Sequence, residues 1–160
     1  MIAGAPSIAI SSPVTAPVQA GETVTPKTVT PAGNGAYIFD MGQNMVGWVT
    51  LKVKGPAGTR VKLRFAEILN PDGSIYRENL RNADATDLYT LRGGGEESFT
   101  PSFTFHGFKY VEVSGYPGKP GLDAISGQVV GSLNQPPTGR LDTSSELINR
   151  MWKIGLWGQR

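Results

Sequence analysis

The chain has 160 residues, the length of one globular domain with short extensions. Its 21 glycines and 12 prolines are typical of strands joined by many turns and exclude a long-helix protein. The formal net charge is only +2 and no basic run occurs, so nucleic-acid binding is not expected. No cysteine is present, which excludes disulfides and cysteine nucleophiles. No stretch approaches the ~20 apolar residues of a membrane helix, so no membrane association is expected.

The composition divides the chain into three segments. Residues 1–33 are rich in proline and almost uncharged, which predicts an extended lead-in with one or two edge strands. Residues 34–133 carry the strand patterns of a β-sandwich domain. Residues 134–160 hold a Pro-Pro linker followed by a helical pattern.

The strand patterns begin with an apolar segment over residues 36–41, which we expect to end at Gly42. Residues 49–53 and 61–65 then alternate between apolar and polar side chains. The Gly-Pro-Ala-Gly sequence at 55–58 is a turn signal between them. This combination predicts a hairpin with one buried face and one solvated face.

The second half of the domain continues in short strands. The further predicted strands cover residues 86–91, 99–105, 108–113 and 124–130. In the second of these, Phe99, Phe103 and Phe105 alternate across a strand that Pro101 interrupts. Roughly eight strands with turns between them predict an all-β fold, an antiparallel β-sandwich or jelly roll.

The last segment changes to helical periodicity. Thr143 and Glu146 have the spacing of a capping box, with Thr143 as the N-cap. Leu147, Met151 and Ile154 follow at helical spacing. An apolar helix at a chain end would leave hydrophobic surface in water, so we interpret it as the first helix of a larger unit.

The residues offer little for catalysis. His106 is the only histidine, and its aromatic neighbours favour a hydrogen-bonded, half-buried histidine at a strand end over a catalytic base. A glycosidase needs two facing carboxylates, and nothing in the spacing marks such a pair. The available carboxylates are Asp40, Glu67, Asp84 and Asp87. We therefore expect that this chain alone is not an enzyme.

Two polar connections form the strongest candidate binding site. The first is residues 42–44, between two strands, and the second is residues 79–87. Their amide and carboxylate oxygens suit either a calcium ion or sugar hydroxyls, and Trp48 and Tyr76 offer flat apolar faces to a sugar ring. The alternative is that these Asn and Asp residues only shape turns.

Several ordered blocks resemble the bacterial α-L-rhamnosidases of glycoside hydrolase family 78. Residues 37–48 read YIFDMGQNMVGW, similar to the family segment D-x-G-Q-N-x-x-G-W, and residues 55–67 contain a similar GPAGT turn and FAE strand. Residues 79–89, NLRNADATDLY, look like N-L-R-x-A-x-x-T-D-x-Y. Residues 103–110, FTFHGFKY, look like F-T-Y-H-G-F-R-Y. With the helix, the resemblance covers residues 24–160.

The resemblance implies a β-sandwich that precedes an (α/α)6 catalytic barrel. Residues 143–160 then look like the opening helix of that barrel, left from a truncated helical domain. The family's catalytic carboxylates lie in the barrel, so the resemblance implies a fragment without the hydrolase centre and with the barrel as its partner. It also favours a secreted or periplasmic location.

The sandwich is similar to carbohydrate-binding module family 67, which binds terminal L-rhamnose through calcium. The resemblance therefore implies a non-catalytic module for L-rhamnose or a rhamnose-containing glycan. The implied calcium or sugar ligands are Asn44, Asn82 and Asp87; Gln43 and Arg81 would donate hydrogen bonds, and Trp48 would stack on the sugar.

Two alternatives follow from the same residues. An acidic side chain precedes the Asn of the first loop in the calcium-binding members, whereas this chain has the neutral Gln43, which weakens a calcium site. Arg81 could pair with Glu67 instead of binding sugar. The competing function is a structural spacer that packs on the barrel and binds no ligand. Residual hydrolase activity is a third alternative and predicts turnover of an aryl rhamnoside.

Overall fold

The computed structural model describes residues 16–132 and 137–159. The described residues form one antiparallel sheet of eight strands, two short 3-10 turns and one α-helix. The strands are β1 (Gln19–Val24), β2 (Thr28–Gly33), β3 (Ala36–Lys54), β4 (Arg60–Ala66), β5 (Thr86–Thr90), β6 (Glu96–Phe99), β7 (His106–Ser114) and β8 (Ile125–Gly131). The 3-10 turns are Glu78–Leu80 and Leu122–Ala124, and the helix α1 is Glu146–Gly158.

The long strand β3 organises the sheet because it has two partners on each side. Residues 37–40 lie between β2 and β7. Gly47 pairs with both β7 and β8, and Leu51 pairs with both β8 and β6. The two halves of β3 therefore belong to two layers, with β7, β4 and β5 beside the first half and β1 and β8 beside the second. A strand that passes between layers curls the sheet into a sandwich, which confirms the predicted fold class.

The predicted hairpin between residues 49–53 and 61–65 is wrong. Both segments are strands, but β3 pairs there with β8 and β6, whereas β4 pairs with β5 and β7. The turn at 55–58 instead carries the chain from one layer to the other. Alternation identifies the buried face of a strand but contains no information about its neighbour.

The first apolar strand does not end at Gly42. The chain continues as β3, and the register with β7 shifts between Asp40 and Met45. Gly42 adopts φ +77° within this bulge, a backbone conformation that glycine takes at little cost. The glycine therefore bends the strand rather than terminating it.

The strand predicted over Phe99, Phe103 and Phe105 is also shorter than expected. It ends as β6 at Phe99, whose ring stacks on Tyr89 at 4.7 Å between centroids. Phe103 and Phe105 are exposed. Pro101 lacks the N–H that a continuing ladder needs, so the alternation beyond it is fortuitous.

The inner faces of the two layers form the core. Phe39, Phe65 and Phe108 are completely buried, and the rings of Phe65 and Phe108 meet edge to face at 5.0 Å. The aliphatic side chains that surround them are Leu51, Val53, Val61, Leu63, Val111, Val113 and Ile125. The buried side chains of β3, β4 and β7 thus face a common core.

A second, smaller cluster lies on the opposite face of the first layer. Ile38 and Ala66 are buried there against Ile75, with Leu69 and Tyr110 packed beside them. Leu69 and Ile75 also form an antiparallel bridge. The connection after β4 is therefore folded back over this face of the sheet.

The helix α1 belongs to a separate compact unit from the sheet, which lies in the unit Ala20–Gly131. It begins at Glu146 with Ser145 as N-cap, so the predicted capping box is wrong. Asn149 takes the expected role of Glu146: it accepts from Thr143 N at 2.8 Å and donates to Thr143 O at 2.8 Å. An amide can do both, whereas a carboxylate only accepts.

The apolar side chains of α1 are largely exposed within the described part of the chain, at Leu147, Ile148, Met151 and Ile154. Neither α1 nor any other described helix has the length and apolar character that crossing a bilayer requires.

Candidate functional site

A carboxylate at the end of β4 joins the two polar connections. Glu67 accepts a hydrogen bond from the side-chain amide of Asn44 at 3.0 Å and another from that of Asn79 at 3.2 Å. Asn44 comes from the bulge of β3 and Asn79 from the 3-10 turn Glu78–Leu80. We call Glu67, Asn44 and Asn79 the Glu67 cluster. Asn44 thus lies on the bulge within β3, whereas Glu67 and Asn79 lie on the connection that follows β4.

The bulge of β3 places Asn44 in this cluster. Gly42 N donates to the carboxylate of Asp40 at 2.7 Å, and Gln43 Nε2 donates to the main-chain oxygen of Asn44 at 3.0 Å. Gln43 and Asn44 are both exposed. Pairing with β7 resumes at Met45, which is buried opposite Phe108. The bulge thus turns two amide side chains toward solvent between buried positions.

The connection that carries Asn79 is held by an ion pair. Arg77 donates to Asp84 at 3.0 Å, and Thr86 donates to the same carboxylate oxygen at 3.0 Å. These bonds, chiefly that from Arg77, lower the pKa of Asp84 below its ordinary value. The loop is therefore closed at its base by a group that stays charged at neutral pH, and Asn79 lies inside it.

Arg81 and Asn82 follow the 3-10 turn and are exposed. Arg81 has a positive φ of 54°, an uncommon conformation for a residue other than glycine. In the part of the chain that the structure describes, Glu67 forms no salt bridge with Arg81; it accepts from the two Asn amides instead. Arg81 and Asn82 thus border the Glu67 cluster along the chain.

Asp87 lies inside the domain rather than on its surface. Its side chain is 7% exposed and meets His106 Nε2 at 3.0 Å. The imidazole stacks on Phe65, with 4.2 Å between ring centroids. The second carboxylate oxygen of Asp87 is buried and has no hydrogen-bond partner among the described residues. His106 begins β7 and is 11% exposed, so the prediction of a hydrogen-bonded histidine at a strand end is confirmed.

Trp48 lies farther along β3, past the bulge. It is half-buried and pairs in register with Gln128 of β8. Gln128 is itself bonded to Thr23 and to the main chain of β1. Trp48 therefore lies where β3 pairs with β8, past the bulge that carries Asn44.

The three predicted calcium ligands occupy three different environments. Asn44 is bonded to Glu67, Asn82 is exposed, and Asp87 is buried against His106. Across residues 16–132 and 137–159, no three His, Asp or Glu side chains gather closely enough to hold a metal ion. Calcium takes about six to eight oxygen ligands, several of them carboxylates, and Asp87 is the only carboxylate among these three predicted ligands.

Sequence reasoning found Asn44 but omitted Glu67 and Asn79 from the site. The available signal was weak: Glu67 ends an alternating strand, and Asn79 opens the polar stretch before the next one. Nothing in the spacing shows that the connection after β4 brings Asn79 back to Glu67, twelve positions earlier. That return depends on the small cluster of Ile38, Ala66 and Ile75.

The comparisons with known proteins agree with this architecture. Residues 30–131 match the model of the bacterial alpha-L-rhamnosidase concanavalin-like domain. An alpha-L-rhamnosidase of Streptomyces avermitilis is 48% identical over 151 residues, which are 94% of this chain and 15% of that protein. One of Formosa agariphila is 42% identical over 127 residues, 78% of this chain and 14% of that protein. The chain thus spans about a seventh of the length of these relatives.

Solved structures give the same result. The crystal structure of Streptomyces avermitilis alpha-L-rhamnosidase complexed with L-rhamnose superposes with a TM-score of 0.88 at 49% identity, covering 92% of this chain and 14% of that one. The alpha-L-rhamnosidase from Dictyoglumus thermophilum also gives 0.88, at 38% identity, covering 92% of this chain and 17% of that one. Together with the sandwich topology, these matches show that the chain belongs to the bacterial α-L-rhamnosidase concanavalin-like domain family.

Proposed function

We propose that this domain is a non-catalytic carbohydrate-binding module that takes a terminal L-rhamnose unit at the Glu67 cluster. The observation that supports it best is the convergence of Asn44, from the bulge of β3, and Asn79, from the connection after β4, on one carboxylate. The Streptomyces avermitilis relative, whose crystal structure was determined with L-rhamnose, supports the choice of sugar.

The chemistry of the cluster suits a polyhydroxylated ring. A carboxylate only accepts hydrogen bonds, whereas a primary amide both donates and accepts, so the cluster can match hydroxyls in either role. Hydrogen bonds to a charged group are worth about 1.5–3 kcal/mol, more than neutral ones. Glu67 is half-buried, which keeps its oxygens beside its two amide partners yet open to a ligand. We assign Gln43, Arg81 and Asn82 to the rim of the site.

Binding should be weak because a monosaccharide has few atoms to contribute, with a Kd on the order of 1 mM. Titration calorimetry with L-rhamnose tests the proposal. We expect Glu67→Gln to raise the Kd about tenfold or more, because it removes the negative charge of the carboxylate to which the ligand hydroxyls would donate hydrogen bonds. Glu96→Gln is the matched control: Glu96 is an exposed carboxylate on β6, which pairs with the other half of β3, and its loss should leave Kd unchanged.

The same titration in calcium and then in excess chelator separates the remaining alternatives. Heat that survives chelation supports a metal-independent sugar site. Loss of the binding heat on chelation would show that sugar binding requires calcium and would support Asn44, Asn82 and Asp87 as its ligands. Absence of heat in both conditions would contradict sugar binding and favour the structural spacer.

The parent context is also part of the proposal. The chain covers only about a seventh of its relatives, and α1 exposes Leu147, Met151 and Ile154 along one face. We infer that this helix belongs to the helical catalytic domain of a parent α-L-rhamnosidase, and that the described sandwich contributes no hydrolysis of its own. An aryl rhamnoside assay of the isolated chain should therefore show no turnover.

A further inference from the structure

The bulge of β3 is built around one carboxylate. Asp40 is the last residue of β3 before its register with β7 shifts. Its Oδ1 accepts from Gly42 N at 2.7 Å, which closes a tight turn of the chain two residues on. This bond requires the backbone of Gly42 to bend as it does, at φ +77°. The residue that follows the bend by two positions is Asn44.

The other oxygen of Asp40 fixes the bulge to its neighbour. Asp40 Oδ2 lies 3.8 Å from Lys109 Nζ on β7, and both side chains are about one-third exposed. The same ammonium lies 4.9 Å from the ring centroid of Tyr110. Tyr110 pairs in register with both Asp40 and Ala66, the residue before Glu67. Lys109 therefore lies between the strand that carries Asn44 and the strand that carries Glu67.

A third contact restricts the bulge from the β2 side. Lys27 N donates to the main-chain oxygen of Asp40 at 2.7 Å. A Cβ at Gly42 would lie 2.6 Å from Cγ of Lys27, so the lysine stem packs directly over the glycine. The bulge is thus held on both sides, and its conformation leaves Asn44 directed at Glu67.

We propose that Asp40 is a positioning residue for the Glu67 cluster, acting through the bulge to hold the Asn44 amide on the Glu67 carboxylate. This inference rests on the proposed function for its biological meaning, but the positioning itself exists without ligand. It also explains the spacing of the D-x-G-Q-N segment: the Asp bonds the glycine N–H two residues on, and the Asn is presented two residues later.

The test uses the side-chain amide signal of Asn44 in a ¹H–¹⁵N spectrum of the protein without sugar. In Asp40→Ala we expect this signal to move toward the position it has in Glu67→Ala, where its acceptor is gone. Asp40→Asn keeps a side-chain oxygen that can accept from Gly42 N, so its Asn44 signal should stay close to the wild-type position. Asp142→Ala is the control, because Asp142 is an exposed carboxylate that accepts from Arg140 at 3.1 Å, outside the connection that carries Glu67 and Asn79.

An Asn44 signal in Asp40→Ala that coincides with that of Asp142→Ala would overturn the inference. If Asp40→Ala does not fold, Lys109→Gln is tested instead, because it removes the ion pair with Asp40. The Asn44 signal should then move in the same direction by a smaller amount. An Asn44 signal that does not move would overturn the inference. If wild type binds L-rhamnose, Asp40→Ala should raise Kd as much as Asn44→Ala, with no further increase in the double variant. A failure of sugar binding in wild type contradicts only the proposed function, since the amide signal is measured without ligand.

Discussion

At the scale of single residues, carboxylates organise the loops and the β3 bulge of this domain. Glu67 accepts hydrogen bonds from two side-chain amides, and Asp84 pairs with Arg77 across the following loop. Asp40 accepts from Gly42 N within the bulge of β3. Glu97 is the most enclosed, with a side chain 3% exposed. It accepts from the Tyr89 hydroxyl at 2.6 Å and from the main-chain N–H groups that follow β5. Asp40 and Glu97 accept from main-chain N–H groups that their turns would otherwise leave without an acceptor.

Glu97 makes the stability of the domain dependent on pH. The Tyr89 hydroxyl, followed by Arg92 N, lowers the pKa of Glu97 from 4.5 to about 2. A depressed pKa contributes stability that is complete above the unfolded value and is lost as pH falls through the folded value. We expect Glu97→Gln to lower the free energy of unfolding at pH 7, and the gap to wild type to close between pH 4.5 and 2. Urea unfolding across this range measures it.

The control for this prediction is Glu96→Gln, which removes the same charge from the exposed neighbouring position. Its unfolding free energy should stay close to that of wild type at neutral pH. A gap between Glu97→Gln and wild type that remains constant from pH 7 down to 2 would show that the carboxylate is not held in its charged form.

At the scale of elements, β3 determines the architecture because it is shared by both layers. Gly47 is the point where β3 is paired with β7 on one side and β8 on the other. A Cβ at this position would lie 1.8 Å from the main-chain oxygen of Gln128, so no side chain fits without separating β3 from β8. The transition between layers therefore requires glycine for space rather than for an unusual φ.

We expect Gly47→Ala to destabilise the domain by about 3 kcal/mol or more, because the clash is with main chain that cannot rotate away. Gly107→Ala is the matched control, since no atom lies within 4 Å of a Cβ built there, on the neighbouring strand. Thermal unfolding of the two variants measures the contrast. Equal melting temperatures would show that β3 and β8 are not packed as closely as the register indicates.

The elements also show how much of the fold was available from the sequence. The alternation in 49–53 and 61–65 correctly located two strands and their buried sides, because side-chain period is a local property. It could not assign their partners, since pairing depends on where a bulge turns β3 out of the first layer. The same limit applies to the site: the polar residue Asn44 was recognisable, whereas the return of Asn79 to Glu67 depends on long-range packing over Ile38 and Ala66.

At the scale of the whole molecule, the domain is a packed sheet whose polar cluster lies at a strand bulge and the connection after β4. Buried aromatic and aliphatic side chains pack between β3, β4 and β7, and the Glu67 cluster lies where the bulge of β3 meets the connection after β4. Family membership explains the resemblance of the motifs, but a shared fold does not by itself assign a ligand. The assignment of sugar binding depends on whether the two amides respond to the sugar together.

A titration of ¹⁵N-labelled protein with L-rhamnose, followed through the side-chain amide signals of asparagine, measures that response. Asn44 and Asn79 should shift together with one dissociation constant. Asn149, which is bonded to Thr143 beside α1, should not move. If Asn44 and Asn79 remain unmoved at a sugar concentration many times the millimolar range, the Glu67 cluster is not a rhamnose site.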